Sequence, residues 1–121
     1  MSEVLLVEDS PVQREVISNM LQKHGWKVTI ACDGVEALEQ LHKFCPDLVV
    51  LDIVMPRLNG YEVCRRMKAD PKTKNVPVLM CSSKGEEFDR YWGMRQGADA
   101  YIAKPFGEAE FIGTIKQLLR G

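Results

Sequence analysis

Two apolar runs that end in acids carry the chemistry of this 121-residue chain. Val4-Leu5-Leu6-Val7 leads into Glu8 and Asp9, and Leu48-Val49-Val50-Leu51 leads into Asp52. If the two runs lie side by side, three carboxylates share one crevice, and their mutual repulsion calls for protons or a cation. All-oxygen ligands of this kind suit Mg²⁺. Lys104 ends a further apolar run just before Pro105, and its long stem can carry an ammonium over the acids. Ser82 adds a hydroxyl at the end of another run. A carboxylate nucleophile, a divalent metal, a cation and a hydroxyl donor are together the equipment of phosphoryl transfer.

Each of these residues also has a plain structural reading. Glu8 and Asp9 could serve the positive end of the following helix, Lys104 an ordinary ion pair, and Ser82 a turn. Three acids closing two neighbouring buried strands favour the metal, because strand ends of that kind face the ligand crevice of an open α/β sheet. No general base is evident. With neither a Walker phosphate loop nor a GxGxxG run, no direct nucleotide site is expected. His24 and His42 read as surface residues at helix-end and helix positions.

The acids must be placed by the elements between them. The two short apolar runs, with Val76 to Cys81 and Ala100 to Ala103, read as strands buried on both faces, and Lys27-Val28-Thr29-Ile30 alternates as an edge strand does. Segments of helical period separate them. The first opens at Ser10-Pro11, an N-cap and a first-turn residue, with Val16, Ile17, Met20 and Leu21 on one face. The second starts near Gly34 with Leu38, Leu41 and Cys45 inward, and the third follows Asn59-Gly60 with Val63, Cys64 and Met67 inward. A fourth spans roughly 86 to 96 before Gly97, and the last carries Phe111, Ile112, Ile115, Leu118 and Leu119. Strand and helix thus alternate five times. Right-handed crossovers then predict a doubly wound α/β fold, a five-stranded parallel sheet in the flavodoxin-like order 2-1-3-4-5 with five helices. That order makes strands one and three neighbours and brings Glu8, Asp9 and Asp52 to its switch point.

Composition narrows the partners. The net charge of −1 offers no basic surface for nucleic acid or anionic membrane, and no stretch has the length of a membrane span. Cys32, Cys45, Cys64 and Cys81 show neither zinc-site pairs nor a disulfide framework and read as reduced core thiols. The expectation is one cytoplasmic domain over residues 1–121 with no output domain, acting in trans on other proteins.

Glu8-Asp9, Asp52-Ile53-Val54-Met55-Pro56 with Asn59-Gly60, Ser82, and Tyr101 with Lys104-Pro105-Phe106 together resemble the bacterial two-component response-regulator receiver family, of the CheY-like single-domain form. The resemblance covers essentially the whole chain. It implies that Asp52 accepts a phosphoryl group from a CheA-like sensor histidine kinase. It also implies that Asp9, Asp52 and the Val54 carbonyl bind Mg²⁺, with Glu8 acting through a water. Lys104, Ser82 and Ser83 would contact the phosphoryl group, the Lys104–Pro105 bond would be cis, and Tyr101 would turn inward behind Ser82. The face of helix four, strand five and helix five would then change its contacts, passing a signal to a downstream protein. A second copy of the chain is a further candidate partner.

Three departures from the family pattern bear on this. Ser82 and Ser83 stand where relatives carry Thr and Ala, which keeps the hydroxyl. Val54 and Lys84 occupy positions that in relatives tune phosphoryl loss, and an apolar Val54 cannot orient an attacking water, so slow self-dephosphorylation is expected. The segment Phe88 to Asp99 resembles that of pilus-motility chemosensory regulators. Phe88 and Trp92, four residues apart, are expected in the core, leaving Tyr91, Arg95 and Tyr101 as the candidate partner surface. A phosphate sink and a phosphorylation-independent scaffold are the alternatives. A small Mg²⁺ phosphatase is disfavoured because Val54 stands where such enzymes place a second acid. A flavin domain is disfavoured because Glu8 and Asp9 put negative charge where a flavin phosphate would sit.

Overall fold

The computed structural model describes residues 2–83 and 87–120, in the order β1 (Glu3–Val7), α1 (Pro11–Lys23), β2 (Lys27–Ala31), α2 (Gly34–Lys43), β3 (Leu48–Asp52), α3 (Gly60–Ala69), β4 (Val78–Ser82), α4 (Glu87–Arg95), β5 (Ala100–Ala103) and α5 (Glu108–Arg120). Lys84 lies outside the described residues. All strands are parallel and ordered β2-β1-β3-β4-β5. This is the doubly wound arrangement that the alternation requires, since a parallel strand is reached only through a crossover.

Successive strand residues point to opposite faces, so each central strand feeds two cores. On one face Leu5, Val7, Val49, Leu51, Val78 and Met80 meet α2 and α3 through Ala37, Leu41, Val63, Cys64 and Met67. On the other face Val4, Leu6, Leu48, Val50, Leu79 and Cys81 meet α1 and α5 through Ile17, Leu21, Phe111, Ile112 and Ile115. Phe111 is fully buried, and truncating such a ring to alanine costs about 3–5 kcal/mol. Helix starts follow their caps: Ser10, Asp33 and Asn59 accept from the N–H groups of Gln13, Glu36 and Glu62.

Four expectations are corrected. Cys45 is exposed rather than inward, because α2 ends at Lys43 and the chain leaves the helix through an extended Phe44, which packs on the core in its place. Cys32 is exposed too, so only Cys64 and Cys81 are core thiols. Burial pushes the Cys64 thiol up to about 11 and the Cys81 thiol higher still, which leaves both unreactive. Val16 points outward at 53% exposure, and the inner face of α1 is Ile17 and Leu21. Phe88 and Trp92 are not core residues: they are 71% and 44% exposed. The sole buried position of α4 is Gly93, and its missing side chain lets the helix lie directly on Met80 and Tyr101. A Cβ there would come within 2.9 Å of the Met80 sulfur and 3.0 Å of the Tyr101 ring. With the helix turned that way, its aromatics face outward.

Candidate functional site

Register brings the acids together. Val7 pairs with Leu51, so Glu8 and Asp52 emerge at the same level of adjacent strands, and Asp9 follows at the start of the loop to α1. One carboxylate oxygen from each of Glu8, Asp9 and Asp52 lies within 4.8 Å of the other two. Glu8 and Asp52 are buried and Asp9 is exposed, so the crevice opens to solvent on the Asp9 side. The backbone of this corner is held by Arg14, which donates from one guanidinium nitrogen to the Glu8 and Asp9 carbonyls at 3.0 Å.

Lys104 arrives from the opposite side. Ser82 pairs with Ala103 across β4 and β5, and the Lys104 N–H donates to the Ser82 carbonyl at 2.8 Å. The Lys104–Pro105 bond is cis, and the next residue, Phe106, stacks on Phe111 with ring centroids 4.6 Å apart, tying the loop to the core. From there Lys104 Nζ donates to Glu8 Oε1 at 2.7 Å and sits 3.9 Å from Asp52 Oδ1. The second Glu8 oxygen accepts from the Ser10 N–H at 3.3 Å. Each Glu8 oxygen thus accepts one protein hydrogen bond, whereas Asp52 accepts one backbone N–H, from Ile53, at 2.9 Å.

The electrostatics follow from these contacts. Burial pushes the Asp52 carboxyl up to about 6; Lys104 opposes this, and the neighbouring Glu8 charge adds to it. Three carboxylates beside one ammonium leave a deficit of two positive charges, which a divalent cation fills. The donor set is all oxygen and open on one side, and so fits Mg²⁺.

Ser82 is completely buried at the end of β4, one residue earlier than a loop position, and Ser83 is exposed beside it. Tyr101 shares a hydrogen bond with the Ser82 side chain, and its phenol is pushed up to about 12, chiefly by burial. Its proposed place on a partner surface is corrected: only 5% of Tyr101 is exposed, because its ring packs beneath Gly93. Tyr91, at 58% exposure, and Arg95 do face outward. Val54 stands 53% exposed two residues past Asp52. His42 is exposed, while His24 is half-buried, stacked on Trp26 and 3.4 Å from Glu108.

Sequence reasoning missed two arginines. Arg90 donates to the Tyr101 carbonyl at 3.0 Å and lies 5.5 Å over the Tyr101 ring, a cation–π contact between residues eleven apart that no local pattern signals. Arg57 bonds Asp33, the cap of α2, across two loops. An Asp-Gly pair ahead of a helical period does mark the cap, but nothing in the sequence marks its arginine.

A parallel α/β sheet with buried acids and a lysine converging at its switch point defines a class of phosphoryl-accepting switch domain. The response regulator receiver domain model matches residues 4–116, and the chain belongs to that family. It is 39% identical over 121 residues to protein PilH of Pseudomonas aeruginosa, covering all of both chains, and 39% identical over 114 residues to PilG of the same organism, covering 94% of this chain and 84% of PilG. Several other relatives are longer, and the chain spans about half of their length. The receiver domain of a Pseudomonas aeruginosa sensor histidine kinase, with a magnesium ion coordinated in its active-site cleft, superposes with a TM-score of 0.92 at 32% identity, covering 99% of this chain and 98% of that one. Vibrio cholerae chemotaxis protein CheY4 gives 0.91 at 30% identity over 98% of both chains. Among the described residues, no helix is long and apolar enough to cross a membrane.

Proposed function

We propose that Asp52 is the phosphoacceptor of a Mg²⁺-dependent switch, charged by a CheA-like histidine kinase in the cytoplasm. The carrying observation is the unequal engagement of the acids. Lys104 and the Ser10 N–H each bond one Glu8 oxygen, which favours Asp9 and Asp52 as the direct metal ligands with Glu8 acting through a water. The Val54 carbonyl, on the loop leaving Asp52, would complete the protein ligands. Bound Mg²⁺ would neutralise the oxygens of the incoming phosphoryl group.

The chain's own groups do the rest. Asp52 supplies a carboxylate oxygen at neutral pH, above the value near 6 to which burial raises it. Lys104, 3.9 Å from that carboxylate, is placed to turn from Glu8 towards a phosphoryl oxygen. Ser82 and Ser83 would donate hydroxyls to the same group. Because Ser82 already bonds Tyr101, any pull on Ser82 is felt at Tyr101 and hence at α4, which rests on its ring. The α4–β5–α5 face would read the change out to a second protein. The likeness to PilH and PilG and the α4 sequence support a pilus-motility or chemotaxis pathway. The chain would assist its own phosphorylation and lose the group slowly, since exposed Val54 offers no polar atom to align water.

Intact-mass spectrometry after acetyl phosphate treatment tests the reading. One phosphoryl adduct on wild type, dependent on Mg²⁺ and absent from Asp52→Asn, is the expected result. No adduct under any condition would favour a phosphorylation-independent scaffold.

A further inference from the structure

The loop from Ile53 to Asn59 leaves Asp52 and carries Val54, and backbone hydrogen bonds at its end and tip set its shape where it meets α2. At its end the Gly60 N–H donates to the Ile53 carbonyl at 2.9 Å. At its tip the Leu58 N–H donates to the Pro56 carbonyl at 2.8 Å, closing a tight turn centred on Arg57. That turn holds Arg57 at φ 67°, the left-handed region that L-residues other than Asn and Asp seldom adopt. Against the tip sits Gly34, the first residue of α2, where a Cβ would come within 2.4 Å of the Leu58 carbonyl oxygen.

A strained arginine needs a reason to be there, and its side chain provides one. The Arg57 guanidinium bonds Asp33 Oδ2, while Asp33 Oδ1 accepts the Glu36 N–H at 2.8 Å as the cap of α2. One carboxylate thus joins the start of α2 to the loop that follows the acidic crevice. The Asp33 side chain is only 15% exposed, and its carboxyl is held below the usual range, first by the Glu36 N–H and next by Arg57.

We propose that the Arg57–Asp33 pair is a positioning device for the metal site: it fixes the loop that presents Val54, so that the site is preorganised before Mg²⁺ arrives. This rests on the Mg²⁺ reading of Asp9 and Asp52. Arg57 and Asp33 touch no ligand; they act through the loop backbone. The pair is the side-chain tie between this loop and α2, and once it is broken the freed backbone must be reordered on each binding event.

Glycine accepts φ 67° without strain, so Arg57→Gly removes the side chain while leaving the turn geometry permitted. Asparagine caps a helix as well as aspartate does, so Asp33→Asn removes the charge and spares α2. Calorimetric Mg²⁺ titration without phosphodonor, with metal-free melting as the structural control, reads both. Arg57→Gly and Asp33→Asn are each expected to weaken Mg²⁺ binding about two- to fivefold with metal-free melting nearly unchanged, the range of a partly exposed ion pair. The double variant should lose no more than either single one, and Arg57→Lys should recover part of the loss. Wild-type affinity in Arg57→Gly would overturn the inference and leave the metal reading standing. Wild type that binds no better than Asp9→Asn would overturn both.

Discussion

Lys104 Nζ donates to Glu8 Oε1 at 2.7 Å and stands 3.9 Å from Asp52 Oδ1, so in this state the ammonium belongs to Glu8 and is only near the phosphoacceptor candidate. Glu8 is 2% exposed, a buried carboxylate whose charge is balanced by one flexible side chain. The same cation thus stabilises the resting site and is within a side-chain rotation of Asp52.

Removing that cation should be costly. Lys104→Met leaves Glu8 buried without its partner, and unfolding by urea at pH 7.5 is expected to show a loss of about 3 kcal/mol. The double variant Lys104→Met with Glu8→Gln should regain part of it, since the buried charge that Lys104 bonded directly is then gone. An equal loss in both proteins would mean that the lysine stem, rather than its charge, holds the site.

Asp52 is expected to destabilise the metal-free fold at neutral pH. Its carboxyl is raised from 3.8 to about 6 by burial, so the folded state holds a proton that the unfolded state has released between those values. Its contribution to stability is greatest below the unfolded value and is lost as pH rises through about 6. Asp52→Asn should therefore be more stable than wild type at pH 7.5 without metal, by on the order of 2 kcal/mol, and the advantage should vanish below pH 4. Mg²⁺ should narrow the gap by stabilising wild type alone.

Gly93 is a packing requirement, not a helix preference. Alanine is the better helix former by about 1 kcal/mol, yet its methyl would press on the Met80 sulfur and the Tyr101 ring. Gly93→Ala is expected to lower stability by about 1–3 kcal/mol, as overpacking does. A gain in melting temperature would show that α4 shifts freely off the sheet.

Val54 is expected to set how long a phosphoryl group lasts. Val54→Asn places an amide that can orient water where an exposed apolar side chain now stands, and it should shorten the phosphoryl lifetime several-fold in Mg²⁺ buffer. A lifetime already short in wild type and unaltered by the substitution would sink this reading.

The fold was legible because its signals are local or periodic. Apolar runs of strand length, helical spacing between them, and helix starts at Ser10-Pro11 and Asn59-Gly60 each depend on neighbours within a few residues. Strand order followed from the handedness of crossovers, and with it the meeting of Glu8, Asp9 and Asp52, because a residue that ends a parallel strand can go only to one edge of the sheet. The amino-acid sequence by itself thus determined the family, the sheet and the convergence of the three acids.

Rotation of a helix and the pairing of distant side chains lie beyond such signals. Phe88 and Trp92 have the spacing of a buried face, but the packing of Gly93 on Tyr101 turned that face outward and buried Tyr101. Lys104 choosing Glu8 over Asp52, Arg90 covering Tyr101 and Arg57 reaching Asp33 are contacts across 96, 11 and 24 residues. They depend on distances of a few ångströms set by the assembled core. Only tertiary structure decides such choices, because a charge or a ring is drawn to whichever partner folding brings within reach.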